Sequence, residues 1–258
     1  MPEKELLYNI SNDIGTITFN RPQARNALTF EMYDGLAEIT DSIIAEPGQL
    51  KALIITGAGD KAFAAGTDIS RFRDLNTSQD ALDYERRMDR VLGSLESVPI
   101  PTIAAIRGAC TGGGAAIAAC CDLRISTADL KFGFPIARTL GNCLSVGNLS
   151  RLCALLGAAR TKEIIFTSRL IEADESLALG LISEICSDVE SRALELAEQM
   201  KKMAPLTLSS TKEALRRLRE NAAEVNDDDL IIQCYTSADF KEGLEAFLGK
   251  RKPHWKGH

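Results

Sequence analysis

Two short segments of this chain can offer bare backbone to a reacting atom. Ala64-Ala65-Gly66-Thr67-Asp68 follows an apolar strand pattern, and Thr111-Gly112-Gly113-Gly114 opens a helix of small residues. No bulky side chain flanks these glycines, so a ligand can come close to the main chain. N–H groups offered from two such segments can hold one oxygen as it becomes negative, which is the chemistry of enolates and tetrahedral oxyanions. Gly113 falls in the first turn of its helix, where N–H groups have no intrahelical acceptor and the dipole favours an anion. The competing reading of the glycine run is close packing against a neighbouring element.

The side chains around these segments narrow the chemistry. A carboxylate on Asp68 would repel an oxyanion, so it is expected to turn away and hold its loop by accepting backbone N–H bonds. Asp122 is expected to brace a strand end. Gly57-Ala58-Gly59-Asp60-Lys61-Ala62 fits a dinucleotide fingerprint, yet it runs into Phe63-Ala64-Ala65-Gly66, a poor helix start, with no clear β-α-β unit around it. His254 and His258 are the only histidines. They sit at the chain end without an acidic partner, so neither a metal site nor a Ser-His-Asp triad is expected. No G-x-S-x-G elbow occurs.

The elements that must position the two segments follow from periodicity. Leu6–Ile10 and Ile14–Phe19 read as a hairpin turning at Asn12-Asp13. Leu28, Met32, Leu36, Ile39 and Ile43 share a helical face that ends at Pro47-Gly48. Ala52–Thr56 reads as a buried strand, 78–95 as a helix, Thr102–Ile106 as a strand, Gly112–Cys120 as a helix and Leu123–Ser126 as a further strand. From Gly147 onward the pattern is almost purely helical, with Ser187 and Glu190 spaced as a capping box and Pro205 able to open a helix. The chain therefore reads as an α/β core over 1–195 and a helical region over 196–258, without a linker between them. Leu206, Leu208, Leu215 and Leu218, with Leu230, Ile231 and Ile232, make apolar faces suited to an oligomer interface.

Composition limits the partners. The net charge of −6 gives no broad basic field for nucleic acid, and no apolar run is long enough to span a membrane. Met1-Pro2-Glu3-Lys4-Glu5 lacks signal-peptide order, so a cytoplasmic location is expected. Seven cysteines without a C-x-x-C spacing read as reduced core thiols.

Five segments, in order, resemble the enoyl-CoA hydratase/isomerase (crotonase) family. Asn20-Arg21-Pro22-Gln23-Ala24-Arg25-Asn26-Ala27-Leu28 is similar to its N-R-P-x-x-x-N-A-L opening, and Phe63–Ile69 to its A-F-x-A-G-x-D-L loop. Pro101–Gly114 resembles P-x-I-A-A-x-x-G-x-x-x-G-G-G, Cys121-Asp122-Leu123-Arg124 resembles C-D-x-R, and Glu242–Arg251 resembles E-G-x-x-A-F-x-x-K-R. The resemblance implies a crotonase-like spiral of ββα repeats with a C-terminal helical region, assembled as a homotrimer or a dimer of trimers. It implies an acyl-CoA thioester as substrate, with coenzyme A part of that substrate and no permanently bound cofactor. The oxyanion amides would be those of Thr67 and Gly113. Ala64, Ala65, Gly66, Asp68, Ile69 and Gly112 would lie along the coenzyme A path, with Arg25, Lys250 and Lys252 as cations for its phosphates.

The family's hydratases use two glutamates, and the matching positions here are not acidic. The first is Ala116. The second is Ile136, or Ala137 if one residue is inserted before Leu140-Gly141. Arg138, Asn142, Cys143 and Ser145 follow on the stretch where related enzymes vary their chemistry. Arg138 could hold a substrate carboxylate for decarboxylation, and Ser145, Asn142 and Cys143 could position water. Loop hydrogen bonds and a core thiol are the structural alternatives. The expected function is an acyl-CoA enzyme of the hydratase/isomerase type, with a decarboxylase, a thioester hydrolase or a non-catalytic acyl-CoA-binding subunit as alternatives.

Overall fold

The computed structural model describes residues 4–74, 77–220 and 228–255. Two sheets share the core. The larger runs β1 (Leu6–Ser11), β2 (Ile14–Phe19), β3 (Ala52–Gly57), β5 (Thr102–Ile106), β7 (Leu123–Ser126) and β10 (Glu184–Ile185) in spatial order. The smaller runs β4 (Ala62–Ala64), β6 (Ala109–Thr111), β8 (Lys131–Gly133) and β9 (Ile171–Glu172). Every pairing is parallel except β1 with β2 and β8 with β9.

Chain order explains the architecture. β3 leads into β4, β5 into β6 and β7 into β8, so each turn of the spiral lays one strand in each sheet. Helices α1 (Phe30–Ala45), α2 (Ser78–Ser97) and α3 (Gly113–Cys120) connect the turns. This is the expected crotonase-like α/β spiral. All residues of β3 and β5 are buried, as a parallel sheet covered on both faces requires. The β1–β2 turn forms at Asn12 and Asp13, whose φ values of 51° and 64° suit a type I′ hairpin.

The remaining helices are α4 (Ile136–Thr139), α5 (Val146–Thr167), α6 (Ala173–Ala178), α7 (Val189–Met200), α8 (Pro205–Glu220), α9 (Asp228–Tyr235) and α10 (Ala238–Leu248). Pro205 opens α8 as expected. Two local expectations are corrected. Leu28 precedes α1, because Thr29 accepts from Met32 N–H and caps the helix there. Asp188, not Ser187, caps α7 by accepting from Ser191 N–H at 3.1 Å. The second sheet was not visible in the sequence, since three-residue strands carry too little periodicity to register.

The border expected between 195 and 196 falls inside α7. Beyond it, Ile231, Tyr235, Phe240 and Leu244 are buried in the same apolar core as β2, α1 and α2. Tyr235 stacks near Phe240 and Tyr84, with ring centroids 4.8 and 6.0 Å apart. The last two helices are thereby fixed to the face of the spiral where both glycine-bearing segments lie. The side chain of Leu230, together with Lys256 and His258, lies outside the described residues.

Candidate active site

The Ala64–Asp68 segment is held from three sides. Asn26, fully buried with φ at 55°, donates from Nδ2 to the carbonyls of Ala58 (2.9 Å) and Ala62 (2.7 Å) and accepts from Arg21 N–H at 2.9 Å. It fastens the opening loop to both ends of the β3–β4 connection. Arg25 carbonyl accepts from Ala65 N–H at 3.0 Å. Leu28 then donates to Gly66 carbonyl (2.9 Å) and accepts from Asp68 N–H (2.8 Å). Backbone groups alternate sides along an extended segment. Thr67 N–H therefore points away from Leu28, and among the described residues it meets no protein acceptor.

The second segment closes against the first. Gly112 caps α3, and Gly113 is its first helical residue. A Cβ on Gly112 would lie 3.4 Å from Gly66 Cα, and one on Gly113 would lie 3.1 Å from Thr67 Oγ1 while overlapping the Tyr33 hydroxyl. A Cβ on Gly114 would overlap the Ala64 carbonyl. Close packing and backbone presentation thus overlap: Gly113 and Gly114 both leave no room for a side chain, and Gly112 and Gly113 line the cleft. The nucleotide-like run is accounted for by packing too, because a Cβ on Gly57 would overlap the Phe63 carbonyl and crowd Asn26.

Both segments line one cleft of about 880 Å³, counting the part open to solvent. Gly66, Thr67 and Ile69 come from the first segment, and Thr111, Gly112 and Gly113 from the second. Ala116 and Ile136 line the same cleft, while Ala137 is exposed and does not. The expected site residues therefore separate. Ala65 joins the lining, but Ala64 is buried behind it. Asp68 turns to Arg21 (3.1 Å) and to Ser70 N–H (3.2 Å). Burial alone would raise its carboxyl, and the Ser70 hydrogen bonds with the Arg21 guanidinium outweigh that and hold it below the usual range. Asp122 braces a strand end, accepting from Thr102 N–H at 2.7 Å and from Lys212 at 2.7 Å.

Two expected catalytic side chains lie elsewhere. Arg138 is exposed on α4 and does not line the cleft. Ser145 is 1% exposed and committed: it donates to Asp89 (2.7 Å) and accepts from Asn148 N–H (3.3 Å) as the cap of α5. A helix cap needs a hydroxyl for reasons that have nothing to do with water activation. Arg25 and Lys250 are exposed, with φ of 50° and 53°. Among the described residues no cluster of potential metal ligands occurs, and no helix is long and apolar enough to cross a membrane.

The cleft also contains Asn142, one of the expected polar candidates, and two polar groups that the sequence did not single out, Tyr33 and Glu85. Tyr33, on the inner face of α1, shares a hydrogen bond with Thr67 Oγ1 at 2.8 Å, and burial pushes its phenol well above the usual range. Glu85 lines the cleft at only 5% exposure and accepts from the Tyr235 hydroxyl. Asn142 Nδ2 donates to that same hydroxyl at 3.2 Å. The signal for Glu85 was present: Ala81, Glu85, Met88, Leu92 and Leu95 form one buried stripe of α2, so a carboxylate occupies a core position.

The geometry can now be set beside known proteins. The sequence profile described as Enoyl-CoA hydratase/isomerase matches residues 9–258. The Short-chain-enoyl-CoA hydratase of Clostridium acetobutylicum is 35% identical over 252 residues, covering 93% of this chain and 92% of the relative. The Crotonyl-CoA hydratase of Syntrophomonas wolfei is 33% identical, with 99% of both chains covered. Among solved structures, a methylmalonyl-CoA decarboxylase in complex with 2-nitronate-propionyl-CoA superimposes with a TM-score of 0.87 at 28% identity, covering 99% of each chain. An enoyl-CoA hydratase/carnithine racemase from Magnetospirillum magneticum gives 0.79 at 33% identity, covering 99% of this chain and 97% of that one. A profile match across nearly the whole sequence, joined to the same spiral fold, establishes that the chain belongs to the enoyl-CoA hydratase/isomerase family.

Proposed function

We propose that the protein binds an acyl-CoA thioester and stabilises its enolate between the N–H groups of Thr67 and Gly113, without adding water to a double bond by the two-glutamate route. The observation that carries this reading is the cleft wall. Thr67 and Gly113 line it from touching segments, and the side chains at the two glutamate positions, Ala116 and Ile136, line it as apolar groups. Hydration needs a base for water and an acid for carbon, each contributing about 100- to 10,000-fold. An oxyanion hole needs neither.

The coenzyme A moiety is assigned to the mouth of the cleft. Phe247 of α10 lines that mouth while half exposed, and Lys250 follows it by one turn. Arg25 adjoins Ala65 through its carbonyl. Among the described residues neither side chain meets an acceptor, which suits both cations to phosphate. Decarboxylation, favoured by the solved relative, is the second reading. It is the weaker one, since among the described residues lining the cleft none is a lysine or arginine that could receive a substrate carboxylate. A non-catalytic acyl-CoA-binding role predicts tight binding and no turnover of any thioester.

Loss of enoyl absorbance with crotonyl-CoA tests the main reading. The protein should hydrate crotonyl-CoA slowly, and the double variant Ala116→Glu, Ile136→Glu should raise that rate at least tenfold. Rapid hydration by the unaltered protein, with no gain in the double variant, rules the reading out.

A further inference from the structure

From the cleft geometry we infer that Glu85, on α2, is the proton-transferring group of this enzyme, taking up the role from a wall of the cleft that neither usual glutamate position occupies. The inference rests on the enolate reading above and extends it to a named base. A carboxylate buried among apolar side chains is costly unless it is hydrogen-bonded. Glu85 is 5% exposed, between Tyr84 and Met88 in sequence, on a helical stripe otherwise made of alanine, leucine, valine, methionine and tyrosine. Such a stripe packs well with any aliphatic residue, so packing alone gives no reason for a glutamate.

Its surroundings suit a base. Tyr235 donates to Oε1, and Asn142 donates in turn to the Tyr235 oxygen at 3.2 Å, which fixes one carboxylate oxygen. Tyr33 and Tyr84 flank the group from α1 and from α2 itself, and burial keeps both phenols, like that of Tyr235, protonated well above neutral pH. These phenols can donate hydrogen bonds but do not compete with Glu85 as bases. Tyr33 also joins Glu85's surroundings to the oxyanion donors, since its hydroxyl bonds Thr67 Oγ1 at 2.8 Å. Glu85, Thr67 and Gly113 all border the same cleft.

The step balances without a co-reactant. With the thioester oxygen between the Thr67 and Gly113 amides, the Glu85 carboxylate removes a proton from C2. The C–H electron pair moves into the C1–C2 bond, and the carbonyl pair moves onto oxygen. The neutral carboxyl then returns its proton to C2, or to C4 when the acyl chain carries a 3,4 double bond, giving the 2,3 isomer. One carboxylate suffices for this transfer. Water addition would require a second group.

Exchange of C2 hydrogens of butyryl-CoA in D2O, followed by mass spectrometry, tests the assignment, with the 13C shift of the bound thioester carbonyl as an independent reading of the oxyanion donors. The unaltered protein should exchange C2–H, and Glu85→Gln should slow exchange at least 100-fold while leaving butyryl-CoA affinity and the carbonyl shift unchanged. Glu85→Asp, which keeps the charge on a shorter stem, should retain part of the exchange, and it carries the test if the glutamine variant does not fold. Exchange that survives in Glu85→Gln, or a shifted carbonyl with no exchange in the unaltered protein, overturns the role of Glu85 and leaves the enolate reading standing. An unshifted carbonyl in the bound thioester overturns both.

Discussion

Gly113 is the residue whose two demands are hardest to reconcile with any side chain. The proposed oxyanion role requires its N–H to face the cleft, and a Cβ at this position would overlap the Tyr33 hydroxyl. Gly113→Ala should therefore displace Tyr33 or α3 and move one oxyanion donor. Removing such a donor typically lowers turnover by about 100- to 1,000-fold, and C2-hydrogen exchange is the direct readout. A rate within threefold of the unaltered protein would show that the Gly113 amide does not touch the reacting oxygen. Tyr33→Phe is the milder probe, because it removes only the bond to Thr67 Oγ1, a contribution of about 1 kcal/mol in a typical case.

At the scale of elements, the opening loop depends on Asn26. It makes three hydrogen bonds, to Arg21, Ala58 and Ala62, while fully buried and left-handed. Asn26→Ala leaves two carbonyls and one N–H without partners, at about 1 to 3 kcal/mol each. Urea unfolding should show a loss of several kcal/mol, and a loss below about 1 kcal/mol would mean that the loop re-forms its bonds. The buried phenols of α1, α2 and α9 give a pH signature. Their folded pKa values are raised, so the stability they contribute is present below the ordinary tyrosine value near 10 and is lost as pH climbs above it. Tyr33→Phe should make the melting temperature fall less steeply above that pH, with no change in the pH slope near neutrality. An identical alkaline slope in the variant would exclude Tyr33 as a contributor.

At the scale of the whole molecule, α8 is the element left unfinished by a single chain. Leu206, Leu215 and Leu218 are 79%, 62% and 73% exposed on it, a cost in water of the kind that association removes. The expected trimer or dimer of trimers would cover this surface with other copies of the chain. Light scattering on the purified protein should give a multiple of three chains, and Leu215→Asp with Leu218→Asp should shift it towards the monomer. A monomer before substitution would refute the assembly. α9 and α10 act in the opposite sense, since they bury Tyr235 and Phe240 against the chain's own spiral and set Phe247 at the cleft mouth.

By itself the sequence determined which backbone would be exposed and where. The glycines at 66, 112 and 113 and the Asn12-Asp13 turn declared themselves through residue type, because φ above zero and close approach restrict the choice of residue locally. The long strands and helices followed from their periods, and Ala116 and Ile136 announced the absence of carboxylates by being what they are. Tertiary structure alone decided which side chains reach the cleft. Ser145 was a candidate for positioning water and serves as a cap, Arg138 was a candidate for holding a carboxylate and faces solvent, and Glu85, which the motifs left unnamed, lines the cleft. A residue's type fixes what it can do. Its partners depend on packing between segments far apart in the chain, such as α2 with Tyr235 and α1 with Thr67, and no local pattern encodes those distances.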